Sequence, residues 1–171
     1  MPGGRLRSTQ IHPADKLAVP GGGLVDIDRA VVPLVRTLWN LGFTTLGCCQ
    51  DLGGSIEHNG HGSPVPAEDR QRWAAFCKGH AWLKLPTQDA NRLVGILGAD
   101  PLFAERVRRW THPDAWQAVI WLFPTDDGYA GPEPAVQITF PADQLNDLVA
   151  VLEDQHPRRP AGSDAAGLLR S

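Results

Sequence analysis

The residues of this chain best suited to chemistry are its thiols and imidazoles. Cys48-Cys49-Gln50-Asp51 is followed by His58 and His61, and Cys77 and His80 lie further along. Thiolate, imidazole and carboxylate form the ligand set of zinc. His58 and His61 sit three residues apart around Asn59-Gly60, and Cys77 and His80 repeat that spacing. A metal site drawn from Cys49, His58, His61, Cys77 and His80 is therefore one expectation, with zinc as its cofactor. The same stretch allows a thiol nucleophile. Cys49 would attack, His58 or His61 would act as base, and Asp51 or Glu57 would orient the imidazole. Packing offers a plainer account of these residues. Adjacent cysteines on a strand point to opposite faces, cysteine is among the most buried residue types, and loop histidines are commonly solvated. No Cys-x-x-Cys pair strengthens the metal reading.

Other chemistries find less support. The chain lacks a phosphate-binding Gly-rich loop, a dinucleotide fingerprint, a serine nucleophile elbow and a His-Glu-x-x-His helix. The acidic run Thr125-Asp126-Asp127-Gly128-Tyr129 lacks the alternating oxygens of a calcium loop and reads as a hairpin tip. A net charge of -3 argues against a nucleic-acid partner, and Arg106, Arg108 and Arg109 form the densest basic cluster. Three cysteines do not make a disulfide framework. No leader-like segment and no run of roughly 18 apolar residues is present, so no membrane association is expected. A cytoplasmic, reducing location follows as the expectation.

The elements that must hold these residues are marked by period and punctuation. Residues 1–24 carry scattered prolines and the run Gly21-Gly22-Gly23, and read as a disordered tail. Residues 157–171 read as a second tail, leaving a single domain over 25–156. Val31, Val32, Leu34, Val35, Leu38 and Leu41 follow a helical period closed by Gly42, and Pro33 requires the helix to begin late or bend. Phe43 to Cys49 reads as a strand and Gln50 to Val65 as a long loop. A helix opening at Pro66 carries Trp73, Phe76 and Cys77 to Gly79. His80 to Leu85 is a strand with Ala81, Leu83 and Leu85 on one face. Trp82 and His80 lie on the other, which is a second core face if a helix covers it, the favoured reading, and a ligand or partner surface if left open. A helix over Thr87 to Leu97 follows, then Asp100-Pro101 as cap and first residue of a short helix. The apolar run Ala115 to Phe123 reads as a central strand. Ala135 to Phe140 is a strand, and Pro141 to about Gln155 a helix.

Two segments repeat each other. Leu83 to Leu97 aligns with Ile138 to Leu152 so that Pro86 matches Pro141, Asn91 matches Asn146, and Leu93, Val94 and Leu97 match Leu148, Val149 and Leu152. Each is a strand, a proline at the helix start, and a helix whose apolar face returns to the sheet. Such units predict an α/β two-layer sandwich of about four strands, helices mainly on one face, ferredoxin-like in type.

The stretch Leu41-Gly42-Phe43-Thr44-Thr45-Leu46-Gly47-Cys48-Cys49-Gln50-Asp51 resembles a pattern in small actinobacterial and phage proteins. There a helix leads into G-x-x-T-x-x-S-C-Q, followed by strand-Pro-helix units. Gly47-Cys48 replaces the small residue and Ser of that pattern, and Cys49-Gln50 matches its Cys-Gln. The resemblance covers about half the chain. It implies an accessory protein of bacteria or phage with no assigned activity, and singles out Cys49 over Cys48. The preponderance of arginine over lysine suits a GC-rich genome of that kind. The leading functional expectation is thus an accessory or regulatory protein that binds a small ligand or a protein partner. A metal- or thiol-dependent enzyme such as a hydrolase, centred on Cys49, His58 and His61, is the alternative.

Overall fold

The computed structural model describes residues 11–58, 65–124 and 128–155. In chain order the described elements are β1 (Ala14–Ala18), β2 (Leu24–Asp28), α1 (Val32–Asn40), β3 (Gly47–Cys49), α2 (Leu52–His58), α3 (Arg70–Cys77) and β4 (His80–Pro86). They continue with α4 (Thr87–Ala99), α5 (Pro101–Arg106), β5 (Gln117–Val119), β6 (Leu122–Pro124), β7 (Ala130–Pro132), β8 (Ala135–Pro141) and α6 (Leu145–Asp154).

The expected sandwich is present. A four-stranded sheet runs β3-β4-β8-β5, with every neighbouring pair antiparallel. Numbered along the chain, these strands stand first, second, fourth, third. A ferredoxin-like sheet stands fourth, first, third, second, so the two adjacencies coincide when the chain is begun at the fourth strand. Ala81, Leu83 and Leu85 share one face with Val136, Ile138 and Phe140, and all six are buried. Leu34, Val35 and Leu38 of α1, Leu93 and Leu97 of α4, and Leu148 and Leu152 of α6 complete that core. Each fully buried leucine contributes about 1.5–3 kcal/mol relative to exposure.

The two repeated units meet at the centre of the sheet. β4 pairs with β8 from His80↔Pro141 to Pro86↔Ala135. Pro86 and Pro141 each end a strand in an extended conformation and cap the helical turn that follows. The residue after each proline then donates across to the partner unit. Thr87 N–H reaches the Pro134 carbonyl at 3.2 Å, and Ala142 N–H reaches the Gly79 carbonyl at 2.8 Å. The sequence repeat thus corresponds to two like strand-helix units, antiparallel to each other.

Four expectations need correction. First, the disordered tail to residue 24 gives way to a hairpin from Ala14 onward. Gly21, Gly22 and Gly23 all have positive φ and make its turn, and Leu17 and Ile27 enter the core. Second, within the expected loop from Gln50, residues 52–58 form α2. Gly53 lets this helix touch α3, since a Cβ there would lie 2.5 Å from the Ala74 carbonyl oxygen. Third, the strand expected from Phe43 shrinks to Gly47–Cys49. Thr44 N–H is taken instead by the Asp89 carboxylate. Fourth, Ala115 to Phe123 is not a central strand. β5 lies at the sheet edge, and β6 leaves to pair with β7. The apolar run reflects surface, not burial on both faces: Leu122 is 66% exposed, and Ile120 and Phe123 are exposed as well. The helix around Pro33 begins at Val32, placing the proline in the first turn where its missing N–H is tolerated. Residues 1–10 of the first expected tail, residues 59–64 of the expected loop with His61, residues 125–127 of the acidic run and the tail from residue 157 lie outside the described residues.

Candidate functional site

Strand alternation divides the two cysteines. Cys48 pairs with Leu83 and packs toward the helical core, whereas Cys49 pairs with Trp82 and faces the other side. Cys49 is buried there beneath α2. Its Sγ lies 2.9 Å from Ser55 Oγ and 3.4 Å from the Asp51 carbonyl oxygen. Burial pushes the Cys49 thiol up to about 11, against the lowering influence of Ser55 and the Asp51 backbone. Burial pushes Cys48 up to about 12, with Asp28 and Cys49 adding to the rise. Both are thiols at neutral pH, not poised thiolates.

The expected thiol triad does not assemble. Asp51 turns its carboxylate to Gly53 N–H and Gly79 N–H, each at 3.1 Å, and so fastens α2 to the start of β4. His58 is exposed at the end of α2, where Nδ1 lies 2.9 Å from the Gly54 carbonyl oxygen. Neither supplies a base to Cys49. The expected metal set does not converge either. Among the described residues, the group with ligand atoms within 4.8 Å of one another is His12, Asp28 and Cys49. His58, Cys77 and His80 are not part of it, and His61 lies outside the described residues. His12 carried no signal in the sequence, because it stands in a Pro- and Gly-rich stretch that reads as a tail.

Cys77 and His80 belong to a different site. The sheet face opposite the helical core carries His80 and Trp82 of β4, Gln137 and Thr139 of β8, and Gln117 and Val119 of β5. α2 and α3 cover its β3 side. Between α3 and β5 remains a cavity of about 350 Å³, within the range of small-molecule sites. One wall is a row of rings. His80 stacks on His112 at 5.0 Å, His112 stacks on Phe76 at 4.1 Å, and Phe76 meets Trp73 edge-on at 5.6 Å. Trp121 lines the opposite side, its indole N–H donating to Gln137 Oε1 at 3.3 Å. Gln117 and Thr139 add polar groups to an otherwise apolar lining.

His80 is the informative residue of this cavity. It is only 6% exposed. Its Nε2 lies 2.8 Å from the Pro113 carbonyl oxygen, which can only accept, so Nε2 carries the proton. Nδ1 is then an acceptor in the neutral ring, and among the described residues it has no partner. A buried polar atom without a partner costs about 1–3 kcal/mol. Comparison of the chain with protein-family models, with curated proteins and with solved structures finds no match.

Proposed function

We propose that this chain is an accessory protein that binds a small, flat, ring-containing molecule in the cavity on the outer face of its sheet. The observation that carries this reading is the row of rings from Trp73 through Phe76 and His112 to His80 along one wall of a cavity that holds only a few polar side chains. Aromatic walls favour a planar ligand by stacking, and the amide and hydroxyl groups of Gln117, Gln137 and Thr139 would fix its orientation. An accessory role accords with the bacterial and phage proteins that the Cys-Gln segment resembles. The three free cysteines suit a reducing compartment such as the cytoplasm. Among the described residues no helix is long and apolar enough to cross a membrane. A nucleic-acid partner is disfavoured, because Arg106 is paired with Asp147 at 2.7 Å and Arg109 with Glu105 and Asp114.

A panel of indoles, purines, pyrimidines and pyridine carboxamides, screened by ligand-observed NMR with the full chain, tests the reading. At least one class should bind. Trp121→Ala and Thr139→Val should each weaken that binding while leaving the far-ultraviolet spectrum unchanged. Absence of binding across the panel, or binding indifferent to both substitutions, would sink it.

A further inference from the structure

His12, Asp28 and Cys49 are far apart in sequence and come from three separate segments: the chain before β1, the end of β2 and the end of β3. Their ligand atoms nevertheless lie within 4.8 Å of one another. Around a tetrahedral zinc, with bonds of about 2.0–2.3 Å, neighbouring ligand atoms stand roughly 3.3–3.8 Å apart. The group therefore needs to contract by about 1 Å at its widest to enclose an ion.

Its present contacts are light enough to permit this. His12 Nε2 is 3.4 Å from the Asp51 carbonyl oxygen, and Cys49 meets the neutral hydroxyl of Ser55, the same carbonyl and the Asp28 carboxylate that would share the ion with it. Asp28 accepts the Gln50 N–H at 3.0 Å through Oδ2, the kind of outer contact that orients a ligating carboxylate. Gln50 in turn accepts the Ala30 N–H through its side chain, so the ends of β2 and β3 are tied together around the group. Charge also fits. A thiolate, a carboxylate and a neutral imidazole together balance a divalent ion. The nearby Arg29 is engaged by Asp15 instead. Gly54 keeps the histidine side open, since a Cβ there would stand 3.0 Å from His12 Cε1.

We propose that His12, Asp28 and Cys49 form a three-ligand site for a divalent ion of the zinc class, with a fourth position left for water or an exogenous donor. Binding forms a metal–sulfur bond, and the Cys49 thiol proton passes to solvent. Sulfur, nitrogen and a single carboxylate select zinc over magnesium or calcium, which prefer all-oxygen shells. This site is separate from the ring-lined cavity, and neither proposal depends on the other.

The test is titration of the metal-free full chain with cobalt(II), followed by zinc. One cobalt per chain should bind and produce a thiolate-to-cobalt charge-transfer band in the near ultraviolet, which zinc then bleaches. Cys49→Ser should abolish the band. His12→Ala should weaken cobalt binding by about tenfold or more, and Cys77→Ser should leave it unchanged. No band in the unaltered chain, a band surviving Cys49→Ser, or a band lost in Cys77→Ser would each overturn the proposal. Should Cys49→Ser fail to fold, half-buried His12 decides: a folded His12→Ala protein that binds cobalt as before refutes the site.

Discussion

The central strands β4 and β8 send alternate residues into two contrasting environments. Toward the helices, Ala81, Leu83, Leu85, Ile138 and Phe140 are enclosed by apolar side chains from α1, α4 and α6. Toward the other face, His80, Trp82, Gln137 and Thr139 are polar or amphipathic; His80 and Thr139 are buried, while Trp82 and Gln137 are half-buried. One backbone thus supports a filled core and an unfilled recess a side chain apart. The contrast separates positions that hold the fold from positions available for recognition.

Truncating the two faces at equivalent strand positions gives the largest expected difference. Leu83→Ala removes a fully buried side chain and should cost about 2–5 kcal/mol in a urea titration. Thr139→Ala, opposite Trp82 on the recess side, should cost less than about 1 kcal/mol. Equal costs would mean that the recess is as tightly packed as the core. A smaller effect is expected where α2 rests on α3. Gly53→Ala would place a methyl group 2.5 Å from the Ala74 carbonyl oxygen and 2.6 Å from the Lys78 nitrogen. Separating the helices to relieve that overlap should cost about 1–3 kcal/mol, read as a lowered melting temperature. An unchanged melting temperature would show that the α2–α3 layer floats over the sheet.

The smallest effect concerns pH and the core-facing thiol. The folded state holds Cys48 at about 12 against an ordinary value of 9.0. Below pH 9 the thiol is protonated in both states, and the stability linked to it is fully present. Between pH 9 and 12 the unfolded chain loses the proton while the folded chain retains it, so stability falls as pH rises. Cys48→Ala should therefore show a shallower alkaline decline in denaturant midpoint than the unaltered chain. Parallel declines would place the loss at other groups.

Much of the fold could be read from local rules. Pro86 and Pro141 at matching places in two strand-helix units, Asp100 before Pro101, and Gly42 after Leu41 are each set by the backbone requirements of one position. The structure places helix starts or stops at all of them. Features that depend on partners distant in sequence were not legible. Gly21-Gly22-Gly23 looks the same in a tail as in a hairpin turn, and only the burial of Leu17 and Ile27 separates the two. The apolar stretch at 115–123 has the composition of an interior strand, yet its position in the sheet is decided by what β8 pairs with. The site followed the same division. Cys49, Cys77 and His80 stand out in the sequence by residue type, but the residues that each meets in space do not. Cys49 finds its neighbours in His12 and Asp28, and His80 finds its own in His112 and Phe76. Only chain reversals set those meetings, and residue spacing carries no record of them.

The split between Cys48 and Cys49 gives the molecule two internal clocks. Adjacent in sequence, the thiols share one short strand and nearly the same local backbone, but different layers shield them. Cys48 is half-buried against the helical core and reacts in part from the closed state, whereas buried Cys49 reacts when α2 lifts. The pace at which Cys49 is alkylated in the native state therefore reports the opening free energy of the α2 layer, with half-buried Cys48 beside it as the fast reference. One peptide fragment, with its two modification sites resolved by mass, records how firmly the α2 side of the sheet is closed.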